Sequence, residues 1–178
     1  MFRRSACQSA LLYFYDKKEN NMTRLISIDP STKASGVATF DDACLVDYQL
    51  FQYNDKEADD RIDKMGKSLL SYLKKQKPDI IYIEHPQGHG SNVKLVAMIC
   101  ELLGIVRAYA IEKKVEYKEL SPSEWRKYCG FAQGKKKRDE LKQMSIDYVK
   151  KHYDIDVGND EADAIAIGCG VINYFNAL

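Results

Sequence analysis

Apolar and polar positions alternate through Thr-Arg-Leu-Ile-Ser-Ile-Asp, residues Thr23 to Asp29, a β-branched run that stops at the turn-forming Pro30-Ser31-Thr32. This alternation predicts a strand that ends in a carboxylate. Gly36 to Phe40 and Cys44 to Phe51 repeat the pattern on either side of Asp41-Asp42, predicting two more strands in an antiparallel meander. The period then lengthens. Ile62, Met65, Leu69, Tyr72 and Leu73 recur at helical spacing until Pro78-Asp79 breaks the pattern. Ile80 to Ile83 is an apolar run of the buried type, closed by Glu84, and the helix before it supplies the crossover that a strand parallel to the first requires.

His85 to Asn92 is aperiodic and holds two glycines, which predicts a loop directly beyond Glu84. A long helix follows, with Val93, Val96, Ala97, Cys100, Leu103 and Ile111 expected on its apolar side, and then a fifth strand around Val115 to Leu120. Ser121-Pro122-Ser123-Glu124 is a well-formed helix start, with Ser at the cap, Pro at the first helical position and Glu three residues after the cap. Trp125 opens that short helix. A basic loop, Gly130 to Lys137, leads into a helix through Leu141, Met144 and Tyr148, and a last apolar helix begins near Asn159. Strands first, then alternating helix and strand, then helices: this order predicts an α/β fold, a mixed five-stranded sheet flanked by helices.

Composition narrows the class. The 178 residues suit one domain. The folded unit is expected over 22–178, with residues 1–21 an N-terminal extension in which no function is expected. With 45% apolar against 30% charged residues, the chain can bury a continuous core, which excludes a disordered or coiled-coil protein. The net charge of +1 leaves any electrostatic argument to local patches. Five scattered cysteines with no C-x-x-C pair indicate neither a disulfide framework nor a thiolate zinc site, and fit a reducing, cytoplasmic compartment. No stretch reaches the roughly 18 apolar residues of a membrane span, so no membrane partner is expected.

Four carboxylates carry the candidate chemistry. Asp29 and Glu84 end two apolar strands expected side by side, and Asp160 and Asp163 share one face at the head of an apolar helix. Each has a plainer explanation alone: a turn at Asp29, a solvated rim at Glu84, a helix cap at Asp160 and Asp163. Gathered together they would repel by about 4 kcal/mol per pair at 4 Å, even at an effective dielectric near 20. Such a cluster requires cations. An oxygen-only set selects hard divalent ions, Mg2+ or Mn2+, and a pair of them would form a phosphoryl-transfer site.

The run Ile28-Asp29-Pro30-Ser31-Thr32-Lys33-Ala34-Ser35-Gly36, then Ile83-Glu84, then Asp160-Glu161-Ala162-Asp163-Ala164-Ile165-Ala166 resembles the three acidic motifs of RuvC-type Holliday junction resolvases, especially their bacteriophage branch. The closing motif is the more specific. The resemblance, which spans nearly all of Met22 to Leu178, implies a ribonuclease H-like fold, a homodimer, and endonuclease activity on four-way and other branched DNA in recombination and repair. It implies that Asp29, Glu84, Asp160 and Asp163 are catalytic and hold two Mg2+ ions per site, with Mn2+ able to substitute, and that cleavage leaves 5′-phosphate ends.

DNA contact needs local basic surface. From Glu112 to Lys151 there are twelve Lys or Arg against seven Asp or Glu, and Arg126, Lys127, Lys135, Lys136, Lys137 and Arg138 surround the Gly130 to Gly134 loop. The resemblance assigns this region to the junction backbone. Bacterial members carry an aromatic residue after the catalytic Glu, but His85 to Asn92 holds no Phe, Tyr or Trp, leaving His85 and His89 as phosphate contacts or proton donors there. Two alternatives keep the scaffold: a nuclease for RNA–DNA hybrid or flap substrates, and a non-catalytic DNA-binding protein.

Overall fold

The computed structural model describes residues 23–87, 93–131, 134 and 136–177; the expected extension over 1–21, Lys135 and His89 lie outside them. The described elements follow as β1 (Arg24–Asp29), β2 (Ala34–Asp41), β3 (Cys44–Gln52), α1 (Ala58–Gln76), β4 (Ile80–Glu84), α2 (Val93–Lys113), β5 (Glu116–Leu120), α3 (Pro122–Tyr128), α4 (Arg138–Tyr153) and α5 (Asn159–Asn176). The strands form one five-stranded sheet in the order β3-β2-β1-β4-β5. The β1, β2 and β3 pairs are antiparallel, while β4 runs parallel to β1 and β5 parallel to β4. The mixed sheet expected from the alternation of periods is therefore present. The meander turns at Asp42 and Ala43, both at positive φ, one residue later than the pattern predicts.

Helices cover both faces. Ile26, Ile28, Val37, Ile81 and Ile83 point to one side and pack with Met65, Leu69 and Leu73 of α1 and Leu102 and Val106 of α2. Leu25, Ala38, Phe40, Ile80 and Tyr82 point to the other and meet Trp125 of α3, Val149 of α4 and the apolar residues of α5. This is the period-two pleat of a sheet buried on both sides. Each side chain so buried contributes roughly 1.5–3 kcal/mol.

Small residues let α5 lie close to the strands. A β-carbon on Gly168 would come 2.2 Å from Phe40 Cε2. The buried Ser27 hydroxyl donates to the Ala164 carbonyl at 2.7 Å, tying the middle of β1 to the helix with a bond worth about 1 kcal/mol net.

The expected apolar side of α2 is corrected. Leu102, Leu103, Val106, Tyr109 and Ala110 face the core, whereas Val93 and Ile111 are 74% and 72% exposed and Cys100 is exposed too. Apolar residues surround this helix, so its periodicity admits two faces, and only contact with α1 chooses between them. Among the described residues no helix is long and apolar enough to cross a membrane.

Candidate active site

The register of the sheet sets the first two carboxylates. Ile28 pairs with Ile83 across the parallel β1–β4 ladder, so Asp29 and Glu84, the next residues along, leave the sheet side by side at its C-terminal edge. Both fall on the α5 side, because Ser27 and Tyr82, two residues earlier, face that way. Asp29 also pairs with Gly36 in the β1–β2 ladder. A β-carbon on Gly36 would overlap the backbone of Asp160, so the missing side chain is what allows the start of α5 to close over the strand ends.

α5 presents the other two. Its cap is Gly158, whose N–H donates to Glu161 Oε2 at 2.9 Å. Glu161 thus does the capping, and the plainer explanation of Asp160 and Asp163 as a cap pair falls away. Asp29, Glu84 and Asp163 feel the charge of neighbouring acids. Burial pushes the Asp29 carboxyl well above the usual range, and the charges of Glu84, Asp163 and Asp160 push it further. Burial chiefly raises Glu84 to about 7, with Asp163 adding to the rise. Burial likewise raises Asp163, with Asp160 contributing.

Cationic and polar neighbours partly answer this repulsion. Trp125 Nε1 donates to Glu84 Oε2 at 2.5 Å. Arg126 stacks on the Trp125 ring with its guanidinium carbon 4.7 Å from the centroid, and its charge lowers Asp29, Glu84 and Asp163 alike. Ser145 and Lys142 of α4 act on Asp163 in the same direction, yet neither Ser145 Oγ nor Asp163 Oδ1 completes a hydrogen bond.

Do these residues suit divalent cations? The donor set is oxygen alone, its mutual repulsion is only partly compensated, and Asp163 Oδ1 is buried without a completed hydrogen bond, a costly state that a bound cation would relieve. The set fits. Among the described residues no three His, Cys, Asp or Glu side chains already form an ion-holding group. The acids are neighbours in charge, not a closed cage.

The basic residues divide. Arg126 is half-buried and turned to the acids, whereas Lys127, Lys136, Lys137 and Arg138 are exposed. His85 Nδ1 lies 2.7 Å from Glu119 Oε2, on a side chain that also accepts from Tyr117. The sequence marks Trp125 only as the opening of a short helix; its indole N–H is the signal that makes a fully buried tryptophan beside an acid worth testing as a donor. Nothing in the sequence marks Ser145.

No protein-family model matches the chain, and no curated protein matches it in sequence. Solved structures do share its fold. RuvC of T. thermophilus in complex with Holliday junction substrate superposes with a TM-score of 0.65 at 18% identity, covering 85% of this chain and 94% of that one. Fowlpox virus resolvase with Holliday junction DNA gives 0.54 at 16% identity, covering 87% and 98%. The yeast mitochondrial Holliday junction resolvase Ydc2 gives 0.51 at 17% identity, covering 94% and 86%. The fold is that of these resolvases, a ribonuclease H-like sheet flanked by helices.

Proposed function

We propose that this protein is a structure-selective endonuclease of the RuvC type, akin to its bacteriophage branch, that resolves Holliday junctions and related branched DNA. One observation supports the reading: Asp29 of β1 and Glu84 of β4 leave the sheet side by side on the face roofed by α5, and the charges of Glu84, Asp160 and Asp163 add to the burial that raises the Asp29 carboxyl. Asp29, Glu84, Asp160 and Asp163 would hold the divalent cations, two Mg2+ ions or Mn2+ in their place. Bound there, such ions supply Lewis-acid stabilisation of charge at a phosphate and lower the pKa of water.

The chain's own residues supply the rest. The sheet edge and α5 hold the carboxylates in place, and Arg126 keeps a fixed positive charge beside them. In-line attack by water with departure of the 3′ oxygen leaves 5′-phosphate and 3′-hydroxyl ends. Lys127, Lys136, Lys137 and Arg138 present exposed charge to the phosphate backbone, which fixes register and carries no sequence information. Lys135 belongs to the same basic run.

Symmetric cutting of a four-way junction requires paired sites, and a two-fold homodimer provides them. Support comes from the outer face of α2, where Val93, Ala97, Cys100, Gly104, Ala108 and Ile111 form an exposed apolar stripe at helical spacing. The deciding experiment compares cleavage of a synthetic four-way junction and a linear duplex of the same sequence with Mg2+. Preferential nicking of the junction is expected. Equal cutting of both would remove the junction assignment, and no cutting of either would remove the nuclease.

A further inference from the structure

We infer that Trp125 is a positioning residue that holds Glu84 by one oxygen, leaves the other for a cation, and so sets which divalent ion the carboxylate site prefers. This rests on the nuclease reading above.

The indole is held on several sides. Trp125 is fully buried, Phe131 meets its ring edge-on at 5.9 Å, and the Arg126 guanidinium lies over its face. Its backbone is pinned as well, since a β-carbon on Gly170 of α5 would come 2.8 Å from the Trp125 carbonyl. A ring so confined keeps its N–H where it is. Indole N–H is a donor only, and here it meets Glu84 Oε2 at 2.5 Å. Among the described residues Glu84 Oε1 has no hydrogen bond, so the two oxygens of one carboxylate are unequal.

That inequality has consequences for ion choice. Mg2+ demands near-ideal octahedral geometry and is served by carboxylates that offer single oxygens, whereas Ca2+ takes roughly six to eight oxygens and accepts chelation by both oxygens of one carboxylate. A Glu84 engaged through Oε2 resists chelation and favours the smaller ion. Groups that hydrogen-bond a ligating side chain in this way typically account for 10–100-fold in metal affinity.

The test uses the full chain without DNA. Trp125→Phe keeps the buried ring and removes the N–H. Titration calorimetry is expected to show Mg2+ affinity falling about 10-fold or more, with Ca2+ affinity falling less, so that the preference for Mg2+ narrows. Trp125 is the sole tryptophan, so the protein gives one indole N–H signal in a 15N-correlated NMR spectrum. That signal is expected to shift on Mg2+ addition to the wild type and to stay put in Glu84→Gln. Unchanged Mg2+ affinity and Mg2+/Ca2+ ratio in a folded Trp125→Phe protein would overturn the inference while leaving the nuclease reading intact. Should that variant not fold, a wild-type indole signal unmoved by saturating Mg2+ overturns it instead. A wild type that takes up no divalent ion removes the nuclease reading, and the inference with it.

Discussion

Gly36 of β2 and Asp160 of α5 lie so close that a β-carbon on the glycine would sit 1.9 Å from the Asp160 carbonyl oxygen. The contact is backbone against backbone, so no side-chain rotation relieves it. Gly36→Ala is therefore expected to drive the head of α5 off the strand ends, costing about 1–3 kcal/mol of stability. Mg2+ affinity falls with it. Denaturant melts and calorimetry check this.

Asp29 sits at the centre of the repulsion, pushed up by its burial and by three neighbouring acids. Asp29→Asn keeps the shape and removes the charge. Cutting of a four-way junction is expected to disappear while junction binding persists, and the metal-free protein should melt higher than wild type near pH 8. A lower melting temperature would show that Asp29 supports the fold rather than straining it.

Stability should depend on pH in a direction set by Glu84. Its ordinary pKa of 4.5 is raised in the fold to about 7, chiefly by burial. Between those values the folded chain keeps a proton that the unfolded chain has released, so the metal-free protein loses stability as pH rises from about 4.5 to about 7, by up to about 3 kcal/mol. Saturating Mg2+ reverses the trend, because the cation binds the charged form. Urea melts at pH 5, 6, 7 and 8, with chelator and with Mg2+, should give slopes of opposite sign.

The outer stripe of α2 makes a separate prediction. Gly104→Arg places a long charged side chain in the middle of that exposed face, where a β-carbon on the glycine would meet nothing within 4 Å. Analytical ultracentrifugation should find a dimer for the wild type and a monomer for the variant. An unchanged sedimentation coefficient would move the interface elsewhere.

Lys136→Ala and Arg138→Ala are each expected to weaken junction binding without changing the cutting rate at saturation. Each should lower the slope of log affinity against log salt by about 1, the mark of one lost phosphate contact. Binding measured across a salt series decides it, and a slope that stays constant removes that residue from the DNA-binding surface.

Much of this architecture was legible because neighbouring segments differ in period. The alternation of Thr23 to Asp29, the helical recurrence from Ile62 to Leu73 and the apolar Ile80 to Ile83 lead to the observed parallel pairing of β4 with β1 with no tertiary information beyond the crossover rule. The four acids stood out for the same reason, as charges at the ends of apolar runs. Two features were hidden. The inward face of α2 was not legible, since a helix apolar all round leaves its orientation to its neighbours. The Trp125–Glu84 hydrogen bond joins residues 41 apart in sequence, and a buried tryptophan has many ways to satisfy one donor. Glu161 illustrates a third kind of ambiguity: in Asp160-Glu161-Ala162-Asp163 any acid can cap, and only the folded backbone selects one.

The sheet is also a partition. Asp29 and Glu84 open on the side roofed by α5, while the unpaired stripe of α2 belongs to the opposite side. Two copies joined back to back through that stripe would keep both reactive clefts facing outward and unobstructed, each with its own helical roof. Partnering and chemistry would then occupy opposite walls of one slab, and either could change in evolution without disturbing the other.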